Sequence, residues 1–292
     1  MNNLSLNSID DLKIFLKDEK FNKILIICGE KSFKESGAKN SINGLLLSKK
    51  VNYYFKKSSN PNDKELKKII SQIKIFSPNL IIAIGGGSVI DYAKIANVFT
   101  DSDNLEDEIV NSTYDAKKKF AKLVAIPTTA GSGAEVTPNA VIYINKIKYS
   151  VEGENLKPDY YFLIPELVLG APSKIKSSAG FDAIAQAIES LISKRSNEKS
   201  VDFAEKSLQL SLKYFLDFLD KPNHENTSAM CLAANLSGKA ISISKTTAPH
   251  AVSYPFTSFY NVSHGHAVSL TLNKFLLFNF ENIESSNCSF DL

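Results

Sequence analysis

Three of the four histidines of this chain stand close together in sequence, at His250, His264 and His266. Earlier in the chain, Asp182 and Gln186 are four residues apart in an apolar stretch, so on a helix they share one face. A carboxylate on a buried face needs a counter-charge, which a metal ion would supply. Carboxylate and amide oxygens together with two imidazoles suit Fe²⁺ or Zn²⁺. These residues are therefore candidate ligands of one divalent cation.

Other roles for the same residues remain open. Asp182 could cap the start of a helix, and the histidines could be satisfied surface groups. His266 has two interpretations of its own. It could relay a proton in a reaction, or it could be a supporting or surface residue outside the metal shell.

Two glycine-containing loops each follow an apolar strand pattern. The first, "GGGSVIDYAK", begins at Gly85 and runs into a helical pattern. Glycines let backbone N–H groups approach a ligand closely, and a helix N-terminus attracts phosphate. The spacing is not G-x-G-x-x-G, so an ordinary dinucleotide fingerprint is not supported, and a plain tight turn is the alternative. The second loop, "PTTAGSG", begins at Pro127 and carries hydroxyls suited to phosphate, ribose or an amide.

The first half of the chain alternates strand and helix patterns. Short apolar runs predict strands at Lys23–Cys28, Val51–Phe55, Leu80–Ser88 and Lys122–Thr129, and the pattern over Asn60–Pro78 predicts a helix. This alternation predicts an α/β domain over 1–170, with an open parallel sheet that carries helices on both faces. After Leu169 only long helical patterns remain, at 173–194, 200–220 and 227–244. They predict an all-α domain over 171–292.

Composition excludes several classes of protein. The net charge of +3 is small and the lysines are scattered, so no nucleic-acid surface is expected. No apolar run reaches the ~20 residues that span a bilayer, and the N-terminus has no signal-peptide core. Three widely spaced cysteines predict reduced thiols in a cytoplasmic protein. Cys28 lies within an apolar run and is predicted to be a buried structural thiol.

Four blocks of the sequence together resemble the iron-containing (group III) alcohol dehydrogenase family. They are "GGGSVIDYAK", "PTTAGSGAEVT", "PELVLGAPSKIKSSAGFDAIAQAIES" and "HAVSYPFTSFYNVSHGHA", and the likeness covers roughly residues 20 to 270. The resemblance implies a dinucleotide-binding α/β domain and a helical metal-binding domain of dehydroquinate synthase-like architecture. It also implies NAD(P)-dependent interconversion of an alcohol with an aldehyde or ketone.

The resemblance assigns roles to residues that match the family blocks. The implied pyrophosphate loop is Gly86, Gly87, Ser88 and Asp91; the implied second nucleotide loop is Thr128, Thr129 and Ser132, with Val141 and Lys148 near the ribose and nicotinamide. The implied metal ligands are Asp182, His250 and His264, with Gln186 at a fourth position that is usually histidine. A neutral amide oxygen is a weaker ligand than imidazole, so we expect weaker metal binding than in relatives. Tyr254 stands where many relatives have a further active-site histidine.

The choice of cofactor depends on the end of the first strand. NAD-preferring relatives carry an acidic residue there, which accepts a hydrogen bond from the ribose 2′-OH. This chain has Gly29 at that point, with Lys31 and Ser32 close by. The missing carboxylate and the nearby donors would admit a 2′-phosphate. We therefore predict that NADPH is used at least as well as NADH.

The substrate is suggested by the residues before His250. Lys245, Thr246 and Thr247 could bind a dianionic phosphonate, since lysine is a common partner of phosphate-like groups, although an ordinary solvated helix end has the same composition. The surrounding sequence resembles the phosphonoacetaldehyde reductase branch, which makes 2-hydroxyethylphosphonate. A sugar-acid alcohol, as in the octulosonate branch, is the alternative substrate. Dehydroquinate synthase-like lyases and glycerol-1-phosphate dehydrogenases are rival members of the same architecture.

Family members usually continue for several tens of helical residues beyond the last histidine of the site. The resemblance therefore predicts that this chain is truncated at its C-terminus and that its helical domain is incomplete. An inactive fragment is then a further alternative to a competent enzyme. Relatives often form dimers, so a homodimer is also a candidate state.

Overall fold

The computed structural model describes residues 6–18, 20–102 and 104–282. The chain divides into two compact units, of which the first contains 1–129 and 134–171 and the second contains 130–133 and 172–292. The strands are β1 Lys23–Gly29, β2 Lys50–Lys56, β3 Leu80–Gly85, β4 Lys122–Pro127, β5 Asn139–Ile144, β6 Ile147–Glu152 and β7 Tyr160–Tyr161. The helices of the first unit are α1 Ile9–Leu16, α2 Glu30–Glu35, α3 Ala38–Asn43, α4 Asp63–Phe76, α5 Gly87–Val98, α6 Leu105–Val110 and α7 Glu166–Leu169.

The main sheet of the first unit has five parallel strands in the order β2-β1-β3-β4-β7. Every residue of β3 is buried, as expected for a strand that is covered on both faces. One face, with Leu25 and Ile27 of β1, packs on α4 and α5, whereas the other face, with Ile24 and Ile26, packs on α1, α2 and α3. The predicted open parallel sheet with helices on both faces is confirmed, and all four predicted strands are present.

An antiparallel hairpin of β5 and β6 lies outside that sheet and was not expected from the sequence. Lys94 of α5, which is fully buried, attaches the start of this hairpin to α5. Its Nζ donates at 2.9 Å to the carbonyl oxygens of Thr137 and Asn139 and to Thr137 Oγ1. Burial lowers the pKa of Lys94 to about 8, although the charges of Asp91 and Glu135 act in the opposite direction.

Replacing Lys94 with methionine is expected to lower the free energy of unfolding by about 3–5 kcal/mol, the usual cost of removing one member of a buried charge group. The change removes the ammonium that donates to these three oxygens and removes the positive charge beside Asp91. Urea denaturation followed by circular dichroism measures the loss. Lys68→Met is the matched control, because Lys68 is exposed on α4 and is expected to change stability by less than about 0.5 kcal/mol. Equal effects of the two substitutions would contradict the prediction.

The second unit is helical in all its described elements. These are α8 Ser173–Ile192, α9 Glu198–Asp220, α10 His224–Ser244, α11 Ala248–Tyr260 and α12 His264–Glu281. Small residues allow the close packing of α8, α9 and α10. At Gly180 of α8 a Cβ would come within 2.5 Å of the Phe215 ring, and Ser207 of α9 donates to the Ala233 carbonyl of α10 at 2.8 Å. The predicted change to an all-helical texture after Leu169 is confirmed.

Part of the second predicted nucleotide loop packs within the second unit. At Gly133 φ is +59°, and a Cβ there would lie 2.4 Å from Gly238 Cα of α10. At Gly131 a Cβ would lie 2.6 Å from the carbonyl oxygen of Ala179 in α8. These two positions therefore require glycine, and they seat the segment Ala130–Gly133 against α8 and α10.

Two of the three cysteines lie in the described part of the chain. Cys28 and Cys231 are both buried and are not joined in a disulfide, and burial raises the pKa of Cys28 to about 12. Cys28 is therefore an unreactive core residue, as predicted, whereas Cys288 lies outside the described residues. None of the described helices is both long enough and apolar enough to cross a membrane.

Candidate functional site

Three helices of the second unit bring Asp182, His250 and His264 together. Nε2 of His250 lies 3.2 Å from Asp182 Oδ1, and Nε2 of His264 lies 3.7 Å from the same oxygen. One potential ligand atom from each residue falls within 4.8 Å of the other two. Asp182 and His250 are buried, and His264 is partly exposed. The cluster is therefore buried at Asp182 and His250, and solvent reaches it at His264.

The positions of the two histidines depend on where α11 and α12 begin. Pro249 occupies the second position of α11, where proline suits the helix start, and His250 follows it directly. His264 is the first residue of α12. The next residue, Gly265, lies so close to α8 that a Cβ there would be 1.8 Å from the carbonyl oxygen of Ser178. Asp182 lies one helical turn after Ser178 on α8, so this close approach brings the start of α12, and with it His264, beside Asp182.

A second carboxylate, that of Glu189, holds His250 from the opposite side. Glu189 is fully buried on α8, and its Oε2 makes a very short hydrogen bond with Nδ1 of His250. Its Oε1 accepts from the backbone N–H of Thr247 at 2.8 Å and from the Thr247 hydroxyl at 2.9 Å. Glu189 therefore fixes the orientation of the imidazole, with Nε2 directed toward Asp182. A carboxylate that bonds the outer nitrogen of a ligand histidine is common in metal sites.

The two carboxylates also control the charge of His250. Burial disfavours the imidazolium, but its hydrogen bonds to the carboxylates of Asp182 and Glu189 outweigh that effect and raise the pKa of His250 to about 9. Glu189 was not singled out from the sequence. Its spacing is the signal that could have found it, because Glu189 follows Asp182 by seven residues and Gln186 by three, so all three share one helix face.

Gln186 is buried next to Asp182. Its side-chain amide also hydrogen bonds to Ser132 and Ser237. Its Nε2 lies 3.2 Å from Asp182 Oδ2 and 3.4 Å from the carbonyl oxygen of Ser132, and its Oε1 accepts from the Ser237 hydroxyl at 3.0 Å. Ser132, predicted from the sequence as a nucleotide contact, thus has its carbonyl oxygen beside the metal-ligand helix. Ser237 is a further residue that the sequence did not point to.

The donor set of the cluster fits a divalent cation. Two imidazole nitrogens and one carboxylate oxygen form the combination that Fe²⁺ and Zn²⁺ accept, and the burial of Asp182 supplies a reason for a positive charge there. Such an ion would be coordinated by Asp182 Oδ1 and by the Nε2 atoms of His250 and His264.

The predicted substrate residues lie between α10 and α11. Lys245 directly follows α10 and has φ at +62°, a positive value that is uncommon for residues other than glycine. Thr246 hydrogen bonds to Tyr254, whose pKa is raised mainly by burial. The amide and hydroxyl of Thr247 are both engaged by Glu189. Of the three predicted residues, Thr247 is therefore a support for the Glu189–His250 pair, and Lys245 and Thr246 are the candidates for contact with a ligand.

The structure does not bring His266 into the cluster. His266 is exposed on α12 and stands two residues after His264, so the two side chains leave the helix in different directions. Tyr254 is nearer, since its ring centre lies 6.2 Å from that of His264.

The predicted pyrophosphate loop lies at the topological switch point of the sheet. The order β2-β1-β3 places the carboxyl ends of β1 and β3 at the point where the connections diverge, which is where open α/β sheets bind ligands. Gly86 caps α5 without a side-chain hydrogen bond, so the N–H groups of Gly87 and Ser88 are not used by a cap. A Cβ at Gly86 would lie 3.3 Å from Thr129 Oγ1, and Thr128 donates its N–H to the Gly85 carbonyl at 3.0 Å. This loop fits a pyrophosphate.

Asp91, Val141 and Lys148 also come together in the first unit. The backbone N–H of Val141 donates to the Asp91 carboxylate, and the charge of Lys148 acts on it. Burial nevertheless raises the pKa of Asp91 to about 6. The hairpin of β5 and β6, which carries Val141 and Lys148, is therefore joined to α5 directly after the glycine loop.

The end of β1 brings Gly29 and Ser32 beside a residue that the sequence analysis missed. A Cβ at Gly29 would lie 2.8 Å from Ser32 Oγ and 4.0 Å from Lys56 Cε. Lys56 ends β2 directly opposite Gly29, and its Nζ donates to the Ser58 carbonyl at 2.7 Å. Burial lowers the pKa of Lys56. The cation thus stands at the end of the strand that neighbours β1, beside Gly29.

Comparison with curated proteins finds relatives of moderate sequence identity. The chain is 33% identical over 218 residues to phosphonoacetaldehyde reductase of Streptomyces viridochromogenes, a match that covers 71% of this chain and 55% of that protein. It is 32% identical over 215 residues to 4-hydroxybutyrate dehydrogenase of Clostridium kluyveri, with coverage of 71% and 56%. The chain thus spans little more than half the length of the curated relatives it matches.

Comparison with solved structures gives the same fold. The crystal structure of sulfoacetaldehyde reductase from Bifidobacterium kashiwanohense in complex with NAD⁺ matches with a TM-score of 0.86 and 28% identity, and the match covers 94% of this chain and 74% of that one. The family model for iron-containing alcohol dehydrogenase matches residues 4–165, and the model for the C-terminal part of the Fe-containing family matches residues 176–287. The chain therefore belongs to the iron-containing alcohol dehydrogenase family.

Proposed function

We propose that this protein is a metal-dependent, NAD(P)H-dependent aldehyde reductase whose substrate is a small anionic aldehyde, such as phosphonoacetaldehyde, which it converts to 2-hydroxyethylphosphonate. The observation that carries the proposal is the convergence of Asp182, His250 and His264. Two relatives, one a phosphonoacetaldehyde reductase and one a sulfoacetaldehyde reductase, are named for two-carbon aldehydes that carry an anionic group. As part of the same proposal the protein works in the cytoplasm, which suits the reduced thiols of Cys28 and Cys231.

The residues of the metal cluster have separate roles in the proposed reaction. Asp182, His250 and His264 would hold a divalent cation, which would supply Lewis-acid polarisation of a carbonyl oxygen. Glu189 keeps the His250 ring in the orientation that presents Nε2.

The first unit binds the reductant in this proposal. The uncapped start of α5 and the adjacent Thr129 hydroxyl would hold the pyrophosphate of a dinucleotide, whose nicotinamide would supply the hydride. The proton that completes the alcohol would come from water or a ribose hydroxyl, since His266 lies outside the cluster. The NAD⁺ present in the related sulfoacetaldehyde reductase structure supports a nicotinamide cofactor.

An aldehyde panel tests the proposal. Purified protein with added Fe²⁺ or Zn²⁺ is mixed with NADPH and with phosphonoacetaldehyde, sulfoacetaldehyde, succinate semialdehyde or propanal, and NADPH absorbance is followed. We expect turnover that requires the metal and is fastest with a two-carbon anionic aldehyde. Metal-dependent turnover that favours propanal would overturn the substrate assignment alone, whereas absence of turnover with every aldehyde would overturn the activity. Oxidation of a sugar-acid alcohol by NADP⁺ would favour the octulosonate-type alternative.

Lys245→Met is expected to lower kcat/KM for phosphonoacetaldehyde by roughly 10- to 100-fold, since a charge-assisted hydrogen bond contributes about 1.5–3 kcal/mol. Its positive φ at the end of α10, two residues before the Glu189-bound Thr247, supports a role in binding the anionic group. Propanal is the matched control substrate, because it has no charge for Lys245 to bind. An equal loss with both substrates would show that the substitution disturbs the metal cluster instead.

NADPH is expected to give a kcat/KM at least equal to that of NADH. The end of β1 offers no carboxylate at Gly29, and Lys56 stands opposite it at the end of β2. Steady-state kinetics with both cofactors measure the ratio, and Lys56→Met is expected to lower it because a cation near the 2′-phosphate is lost. A strong preference of the unaltered protein for NADH would contradict this part of the proposal.

A further inference from the structure

We propose that Gln186 is a positioning residue and not a metal ligand: its amide holds Asp182 by one carboxylate oxygen and presents the other to the cation. The inference rests on the proposed metal site. It replaces the sequence-based expectation that Gln186 supplies a fourth ligand. The cation then has three protein ligands, Asp182, His250 and His264. Its coordination shell has one more position for water or a substrate oxygen than it would have with four protein ligands.

The orientation of the Gln186 amide follows from its neighbours. Nε2 faces two groups that only accept hydrogen bonds, Asp182 Oδ2 at 3.2 Å and the Ser132 carbonyl at 3.4 Å. Oε1 faces the hydroxyl of Ser237 at 3.0 Å. Reversing the amide would place its oxygen against both acceptors in a buried site, which costs the hydrogen bonds and adds repulsion. The group next to Asp182 is therefore the amide nitrogen, which does not coordinate metals.

The two oxygens of Asp182 have separate partners. Oδ1 is the atom that the Nε2 atoms of His250 and His264 approach, at 3.2 and 3.7 Å. Oδ2 is the atom that Gln186 binds. A cation bound by Asp182 Oδ1 and the two imidazoles therefore uses the Asp182 oxygen that Gln186 does not contact. A donor on the other oxygen of a ligand carboxylate fixes the rotation of that carboxylate.

Packing keeps the Gln186 amide oxygen on Ser237. Gln186 is 4% exposed and Ser237 is fully buried on α10, where its hydroxyl is also within hydrogen-bond distance of the Ala234 carbonyl. The neighbouring Gly238 lies against Gly133, so α10 is fixed close to the Ala130–Gly133 segment that supplies the Ser132 carbonyl. Three separate parts of the second unit therefore restrain one side chain.

The two roles predict opposite results for Gln186→Glu. This change keeps an oxygen at the position and adds a negative charge, but it removes the N–H donors. If Gln186 were a ligand, the carboxylate would bind the cation more tightly than the amide does. In the positioning role, a second carboxylate faces Asp182 Oδ2 without a donor, and we expect Co²⁺ binding to weaken about 10- to 100-fold.

Co²⁺ titration followed by visible absorbance tests the inference on the intact chain, with Gln209→Glu as the matched control because Gln209 is exposed on α9. Weaker binding by Gln186→Glu alone supports the positioning role, and equal or tighter binding overturns it. A second variant, Gln186→Ala at saturating Co²⁺, is expected to retain the absorption band of the unaltered protein. A shifted band would show that a ligand was lost and would overturn the inference. Failure of the unaltered protein to bind Co²⁺ would instead overturn the metal site itself, and this inference with it.

Discussion

Replacing Asp182 with alanine is expected to lower the affinity for a divalent cation by roughly 100- to 1,000-fold. Structural zinc sites gain about 10–16 kcal/mol from their full ligand set, so one ligand contributes several kcal/mol. Asp182 carries the oxygen that both His250 and His264 approach, and its removal also ends the hydrogen bond from Gln186. We expect aldehyde reduction to fall in parallel with metal content.

Asp217→Ala is the control for this experiment, because Asp217 is exposed on α9 and its removal changes the net charge by the same amount. Metal content after dialysis, measured by atomic emission, and circular dichroism spectra are compared for both variants. Asp182→Ala should lose its metal and keep its helical spectrum, since the charge it removes is one that burial disfavours without a cation. An unchanged metal content in Asp182→Ala would contradict the assignment of the site.

Gly265→Ala is expected to lower the free energy of unfolding by about 3 kcal/mol, at the upper end of the usual cost of overpacking, and to weaken metal binding at least about tenfold. An added Cβ would lie 1.8 Å from the carbonyl oxygen of Ser178 and 2.8 Å from its carbonyl carbon. Both atoms are backbone of α8, so a flexible side chain cannot relieve the clash. The start of α12 must move, and His264 moves with it.

Gly44→Ala is the matched substitution, since Gly44 has an ordinary helical conformation and nothing lies within 4 Å of its added Cβ. Thermal melts and Co²⁺ titrations of the two variants separate the clash from the general effect of replacing glycine. Gly44→Ala should leave the melting temperature and Co²⁺ affinity close to those of the unaltered protein. A Gly265→Ala protein with unaltered Co²⁺ affinity would contradict the proposed dependence of His264 on this close approach.

The parallel sheet could be predicted because its strands are buried on both faces and their sequences are continuous apolar runs. Lys23–Gly29 and Leu80–Gly85 are examples, and each ends at a glycine that is followed within two residues by a helix. The hairpin of β5 and β6 could not be found in this way, because only alternate residues of β5 are fully buried and β6 is largely exposed. Its attachment depends on Lys94, and a buried lysine on α5 is not visible as such in the sequence.

Within the metal site, two sequence patterns predicted the candidate ligands. They are the helical spacing of Asp182 and Gln186 and the clustering of the histidines. Glu189 was missed because a glutamate in a helical pattern is usually a solvated residue. The separate roles of the Asp182 oxygens were also beyond sequence reasoning. They depend on Ser237, which is 51 residues from Gln186 and lies on another helix.

The most direct test of the central claim is a crystal structure of the protein soaked with Fe²⁺, Zn²⁺ or Co²⁺, with data collected at the absorption edge of the metal. The claim predicts one anomalous peak about 2.0–2.2 Å from Asp182 Oδ1 and from the Nε2 atoms of His250 and His264. A fully loaded protein whose peak lies away from any of these three atoms would contradict the claim.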